Sequence, residues 1–337
     1  MHTVTLFIPA LFWPHPGVDC DAPLVPILQT LIGRGDVSSA PCDDEQAWLC
    51  GQFGVARQID WPVAPIALLG NGTLPEDDFW FSADPVHLQV NRNQLILLAP
   101  EALSVTQAEA DSLCAALNRH FAADEFVFMA PQPHRWYLKT VRPVRVRTRG
   151  LSQVVGQDVD RLLTEGEDRM AWHRIFNEVQ MLLHAHPVNE DREQRGALPI
   201  NSVWFSGGGI LPPAHASFQA VIGSSALVRG LSKLANVPLI ATLDDVSEKT
   251  ATEVLIALDD AATAAMRVDP LAWKVALEDL ERAWVAPLKG MLKKGRIRRL
   301  AIATFANGRG YQWSLGRMNL WRLWKPAGTL AVPVSAP

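Results

Sequence analysis

The run Leu198-Pro-Ile-Asn-Ser-Val-Trp-Phe-Ser-Gly-Gly-Gly-Ile-Leu-Pro212, preceded by His186-Pro-Val-Asn189, decides how this 337-residue chain is organised. Its short apolar segment ends in three glycines and, three residues on, a proline, the pattern of a buried strand delivered into a tight loop. Consecutive glycines leave backbone N–H groups uncovered by any Cβ, and successive N–H groups form a concave nest for an anion. Ser206, Gly207, Gly208 and Gly209 are therefore candidate ligand-binding residues. A purely structural turn uses the same residues and is the competing reading.

Outward from this run, length and composition bound the rest. The chain suits one large domain or two, and 48% hydrophobic with 20% charged residues describes an ordinary globular protein. A net charge of −4 gives no global attraction to nucleic acid, which is not expected as a partner. Twelve tryptophans against two tyrosines point to large apolar contacts or stacking surfaces. Cys20, Cys42, Cys50 and Cys114 form no Cys-x-x-Cys pair, so zinc has little support and a reduced, cytoplasmic setting is expected. The apolar opening lacks a basic flank and contains Pro9, so it reads as a first buried strand and not as a signal peptide. No apolar run is long enough to span a bilayer, and no membrane partner is expected.

Along the chain, residues 4–8 read as a core strand, 23–33 as a helix burying Leu24, Ile27, Leu28 and Leu31, and 43–53 as a weaker helix. Residues 59–75, punctuated by proline and glycine, read as a crossing between modules. Then come a hairpin (79–88 and 94–98), a helix (106–121, capped by Ser104) and two more strands (125–129, 136–142), a ββαββ unit. Arg145, Arg147 and Arg149 alternate on what a strand would make one face, either an anion face or a solvated edge. A strong amphipathic helix covers 168–184. After the glycines, helices at 224–234 and 270–292 alternate with strands at 237–241, 253–258 and 299–305, which implies a mostly parallel sheet. Residues 311–325, with Trp313, Trp321 and Trp324, read as a terminal hairpin.

Four motifs stand in a telling order: Gly72-Thr-Leu-Pro-Glu-Asp-Asp-Phe-Trp-Phe-Ser-Ala-Asp84, His134-Arg-Trp-Tyr-Leu-Lys139, His186-Pro-Val-Asn-Glu-Asp-Arg192 and Asn201-Ser-Val-Trp-Phe-Ser-Gly-Gly-Gly209. Together they resemble the archaeal-type cofactor-independent phosphoglycerate mutases of the alkaline-phosphatase superfamily. Closer still is the resemblance to the bacterial RpfE-type regulatory proteins. The resemblance implies an α/β fold: an alkaline-phosphatase-like core with a mostly parallel sheet and an inserted smaller α+β, ββαββ-like domain. The core would be discontinuous, 1–75 and 190–337, with 76–189 inserted. In such mutases a Ser takes up the phosphoryl group, Asp and His residues hold two divalent metals, and the insertion helps to hold the phosphoglycerate.

The chain departs from that pattern at the chemistry. Where a first strand should end in a metal-binding Asp, residues 4–8 run into Pro9 and Ala10. At the expected nucleophile position, Pro41-Cys-Asp-Asp-Glu-Gln46 ahead of the helix that runs to Cys50-Gly51 or Phe53-Gly54, no Ser or Thr stands, Ser38 and Ser39 lie several residues too early, and Cys42 has no activating His or Lys beside it in sequence. Asp259 or Asp260 could be a remnant ligand, but Thr263 and Ala264 occupy the place of the following His, and Ala306-Asn307 that of a later Asp-His. One carboxylate cannot replace a cluster of ligands around two divalent ions. Asp244 and Asp245 are a second acidic pair of this kind.

The remaining candidates are side chains around the motifs. His134 and Arg135 sit where the resemblance places a substrate-side basic pair; an exposed turn is the bland alternative. Asp84 and His87 match a polar site motif, although Asp before Pro also starts turns. Asn189 and Arg192 follow a helix end, where a capping role is favoured. The reading that results is a mutase-like protein without its metal and Ser chemistry, a pseudoenzyme using no cofactor. It would bind a small phosphorylated or carboxylated metabolite, or a protein partner, in a regulatory role. Two alternatives stay open. One is an active mutase or phosphohydrolase with rearranged ligands and a divalent metal, Mn or Zn. The other is an adaptor or nucleic-acid-associated protein that uses the basic, Trp-rich C-terminal region, where Lys289, Lys293, Lys294, Arg296, Arg298 and Arg299 cluster.

Overall fold

A computed structural model describes residues 3–15, 17–91, 94–159, 164–243 and 253–332. It divides into two compact units, Met1–Gly54 with Ala214–Pro337, and Val55–Pro213. The divisions fall at 54 and 213, away from the expected 75 and 190, because the flanking stretches supply a helix and a strand to the second unit.

The first unit is built on β1 (Thr3–Phe7), which pairs in parallel with β11 (Glu253–Ala257) on one side and β12 (Arg299–Ala306) on the other. β10 (Ala220–Ile222) extends the parallel array, while β13 (Arg309–Gly316) and β2 (Asp36–Pro41) close the other edge antiparallel, in the order β10-β11-β1-β12-β13-β2. Strand alternation sends Val4 and Leu6 to one face and Phe7 to the other. Against Val4 and Leu6 pack α1 (Pro26–Arg34), α9 (Asp260–Met266), α10 (Pro270–Leu280) and α11 (Ala286–Lys293), through Leu28, Leu31, Ala264, Leu277 and Leu288. On the opposite face lies α2 (Glu45–Gln52), whose Trp48 stacks on Phe7 with centroids 4.2 Å apart; α8 (Ala226–Leu234) packs beside it. Cover on both faces is why these strands read as continuous apolar runs.

Several expectations shift here. Leu24 is exposed, since it precedes α1. The helix expected over 270–292 is interrupted by a π-turn at Glu281–Val285, just before Pro287, which has no N–H and whose ring displaces the preceding turn. That turn carries Glu281 inward, where its carboxylate accepts the Leu28 N–H at 2.7 Å near the start of α1. The C-terminal hairpin is β12–β13 and not 311–325: Asn307 and Gly308 both adopt positive φ (49° and 73°), the two-residue turn that Asn-Gly favours. β2, exposed at all six residues, carries no apolar alternation, and only its pairing to β13 makes it a strand. Residues 237–241 contribute a single parallel bridge, Leu239 to Val221.

In the second unit, β3 (Phe79–Asn91) is the central strand. It pairs antiparallel with β4 (Gln94–Leu98), with β6 (Arg135–Thr140) and with β9 (Ser202–Gly209), and β5 (Val127–Gln132) lies beyond β6. α4 (Gln107–His120) starts at Thr106, not Ser104: Thr106 and Glu109 exchange hydrogen bonds in a capping box, and Ser104 takes φ 48°. This phase buries Glu109 and Ala110 and leaves Ala108 outside. α6 (Arg169–His184) buries Trp172, Phe176, Val179 and Leu183. The stretch read as a crossing contains α3 (Val63–Gly70), buried at seven of its eight residues. The arginine alternation holds over β7 (Val146–Arg147), which pairs with β8 (Glu165–Gly166): Val146 is buried, while Arg145 and Arg149 are exposed and ion-paired to Glu167 and Glu165. The short helix α5 (Leu151–Val154) and α7 (Pro187–Gln194) complete this unit.

Candidate functional site

The glycine triplet lies inside β9, not in a loop beyond it, and all eight residues of the strand are buried. A Cβ on Gly207 would meet the Val63 Cβ at 2.9 Å, one on Gly208 the Phe81 ring at 2.2 Å, and one on Gly209 the Pro62 Cβ at 2.6 Å. The glycines are therefore the price of seating α3 and Phe81 against the sheet. Gly207, at φ +66°, donates its N–H to the Thr148 hydroxyl at 3.0 Å. Thr148 in turn bonds through its N–H (3.0 Å) and hydroxyl to the buried Asp60 carboxylate. Ser206 stands opposite Ser82 on β3.

The structure brings Asp84 and Arg135 together, at 3.1 Å, and adds Glu101, 3.7 Å from the same guanidinium. Asp84 Oδ1 and Glu101 Oε2 are buried with no hydrogen-bond partner. Burial pushes the Asp84 carboxyl up to about 6, against the pull of Arg135. His134 lies exposed in the turn before β6, next to Arg135. Glu101 had no sequence signal, since it sits in an isolated 3-10 turn, Pro100–Ala102.

His87, Asn189 and Arg192 are engaged separately. The His87 ring nitrogen lies 2.9 Å from the Pro199 carbonyl. Asn189 donates to the Leu183 and Ile200 carbonyls (2.7 and 2.8 Å) and accepts the Ile200 N–H (2.7 Å), stitching the end of α6 to the approach to β9. Arg192, 1% exposed, donates to the Leu198 and Leu103 carbonyls and to Glu109 at 2.9 Å. Burial pushes Glu109 up, but Thr106 and Arg192 outweigh it and hold the carboxyl at about 2. Each of these polar atoms binds the protein itself.

In the first unit the C-terminal ends of the parallel strands are where open α/β sheets place ligands. β1 leads into Ile8, whose N–H reaches the Ala303 carbonyl at 2.9 Å and whose carbonyl accepts the buried Thr304 hydroxyl at 2.7 Å. Asp259 accepts from the Ser224 hydroxyl at 3.3 Å, and Asp260 is exposed at the start of α9. Asp244 and Asp245 lie outside the described residues. Cys42 donates to the Asp44 carbonyl at 3.2 Å, and burial with the Asp44 charge pushes its thiol up to about 11, the wrong direction for a nucleophile. Cys50 is shifted further the same way by burial. Among the described residues no group of three or more His, Cys, Asp or Glu is placed to hold a metal ion, so this donor set does not fit a two-metal centre.

The polar groups the sequence reading passed over are Ser224, Ser225 and Arg229 at the start of α8. Ser225 caps the helix by accepting the Val228 N–H at 3.3 Å, and Arg229 donates to the Ser224 carbonyl. The signal was present as Gly223-Ser-Ser between a short apolar strand and an amphipathic helix.

No protein-family profile matches the chain. It is 28% identical over 253 residues to a probable 2,3-bisphosphoglycerate-independent phosphoglycerate mutase from Geobacter sulfurreducens, covering 66% of this chain and 61% of that one. A 2,3-bisphosphoglycerate-independent phosphoglycerate mutase from Methanosarcina mazei is 28% identical over 102 residues, 30% of this chain and 26% of its own. The chain is similar to independent phosphoglycerate mutases. It spans about 61% of the length of the Geobacter relative. A solved protein structure from Pyrococcus horikoshii superposes with a TM-score of 0.52 at 14% identity, covering 94% of this chain and 87% of that one, and shares the fold. The mixed α/β architecture expected from sequence stands. No helix among the described residues is long and apolar enough to cross a membrane.

Proposed function

We propose that this mutase-like chain binds a small phosphorylated or carboxylated metabolite without turning it over, in a regulatory role of the RpfE kind. The observation that supports the reading is the strand edge of the first unit. Pro9, Ala10, Thr263, Ala264, Ala306 and Asn307 stand where the resemblance implies metal ligands. Past the end of β10, Ser224, Ser225 and Arg229 offer hydroxyls, a guanidinium and a helix N-terminus, which suit an anion. A donor set of this kind binds phosphate or carboxylate but supplies no activated oxygen to attack it.

The test pairs activity with binding on the purified chain. With Mn²⁺ added, 2- and 3-phosphoglycerate are expected not to interconvert, while titration with either is expected to raise the unfolding temperature. That rise is expected to be lost in Arg229→Gln. Interconversion at an enzyme-like rate would overturn the reading in favour of a metal-dependent mutase with rearranged ligands. No thermal response to either ester, or to phosphate and simple carboxylates, would overturn metabolite binding.

A further inference from the structure

The C-terminal stretch of the first unit has no part in the proposed function, and its surface is unlike the rest of the molecule. All thirty-five Asp and Glu residues lie before Arg282; from Arg282 onward the chain carries eleven Lys and Arg and no acid. Within this stretch the 3-10 turn Arg317–Trp321 and the residues after it expose Met318 (77%), Trp321 (63%), Leu323 (70%) and Trp324 (77%). The basic loop 293–298 flanks the same place. Arg299 at the start of β12 is in register with Gly316 at the end of β13, so the loop and the turn leave the hairpin side by side. Lys293, Lys294 and Arg298 are exposed there, with Arg317 on the turn itself. This is the N-terminal end of the parallel strands, remote from the edge of the sheet discussed above.

The turn is held, not trailing. Arg34 donates to the Leu320 carbonyl at 2.7 Å, and the buried Asn319 side chain donates to the Arg34 carbonyl (3.2 Å) and to Asp36 (3.1 Å). Asp36 also pairs with Arg322, and the Gly328 N–H reaches the Gln29 carbonyl at 2.8 Å. Asp36 is the acidic group at the turn, and these bonds engage it. A backbone held in this way places Trp321 and Trp324 on the outside of the unit.

The geometry points to a peripheral contact with an anionic bilayer surface, made by Trp321, Leu323 and Trp324 and steered by the basic loop 293–298. Indole rings favour the headgroup level, where an apolar body and a polar N–H both find partners. Leu and Met beside them add insertion, and Lys and Arg add attraction to negative headgroups. A second copy of the chain fits poorly, because two such faces would bring like charges together. Nucleic acid would use the tryptophans for stacking but gains little from exposed Leu323 and Met318. The sequence alone argues against spanning a membrane; only the exposure of these side chains reveals a surface that can lie on one.

The experiment is vesicle flotation with the full chain. Binding is expected to vesicles containing phosphatidylglycerol and not to pure phosphatidylcholine, weakened by raised salt. Trp321→Ser with Trp324→Ser is expected to weaken it about tenfold or more, and Lys293→Gln with Lys294→Gln and Arg298→Gln similarly. All these side chains are exposed, so both variants are expected to keep the parent unfolding temperature. Absence of binding to anionic vesicles overturns the inference. So does flotation unchanged in the tryptophan variant, or a single-stranded oligonucleotide retained where vesicles are not. A dimer that dissociates on the tryptophan substitutions overturns it in favour of self-association.

Discussion

In the second unit, Asp84, His87, Asn189, Arg192 and the three glycines, among the residues that carry the resemblance to the mutases, are buried and engaged by their neighbours. In the first, the strand ends where that resemblance implies metal chemistry hold Pro9, Ala10, Ala306 and Asn307. Gly207, Gly208 and Gly209 admit α3 and Phe81, Asn189 ties α6 to the approach to β9, and Arg192 joins α7 to Glu109. The difference teaches what a kept motif means. Residues that fill or stitch a core stay under the discipline of packing, whatever becomes of the chemistry.

This contrast can be broken most severely at Arg192. Arg192→Met removes a guanidinium that donates to three acceptors, two of them in buried bonds, and it leaves Glu109 without its buried partner. A stability loss of about 3–5 kcal/mol is expected in urea unfolding followed by circular dichroism. A loss below about 1 kcal/mol would mean that the network is not structural. Gly208→Ala comes next: its Cβ would lie 2.2 Å from the Phe81 ring, and about 1–3 kcal/mol of overpacking is expected. If Gly208 were instead a ligand cradle, the variant would fold normally and lose only phosphoglycerate binding.

In the first unit, Trp48→Ala tests whether the Phe7 stack is packing. About 1–2 kcal/mol is expected, since Trp48 is only partly buried. The Mn²⁺ assay on that variant should stay negative, because removing an indole supplies no ligand.

The smallest expected effect is a pH dependence at Asp84. Its folded pKa, about 6, lies above the ordinary 3.8, so its contribution to stability is fully present below about pH 4 and is lost as pH rises through 6. Glu109 slopes the other way: held at about 2, it stabilises above its ordinary 4.5 and loses that as pH falls towards 2. Unfolding temperatures of the parent and Asp84→Asn, compared from pH 4 to 7.5, should therefore move in the variant's favour as pH rises. A constant difference would mean that Asp84 is ionised throughout.

Much of the fold was legible. The apolar run at 4–8, the amphipathic helix at 168–184 and, after the glycines, the helix at 224–234 and the strands at 253–258 and 299–305 correspond to elements in the structure. Periodicity reports burial, and these segments are buried along a clear face. Less legible were segments with no such signal of their own. β2 is exposed throughout and exists through its pairing, and α3 is apolar on every side, so it shows no stripe. The Asn307-Gly308 turn carries the hairpin signal in its two residues, both at positive φ.

For the candidate site, the sequence by itself determined which chemistry is sparse: Pro9 and Ala10 after β1, and Ala306 and Asn307 at the end of β12, are apolar or amide whatever their placement. It also determined the order of motifs that relates this chain to the mutases. Only the tertiary structure decided what Gly207, Gly208, Gly209, Asn189 and Arg192 do, because a glycine or an arginine has the same letter whether it meets a ligand or a neighbouring helix. The same holds for Trp321 and Trp324, which share a residue type with the buried Trp313 and differ from it in exposure. Burial and hydrogen-bond partners arise from contacts between residues far apart in sequence, and local pattern carries no record of them.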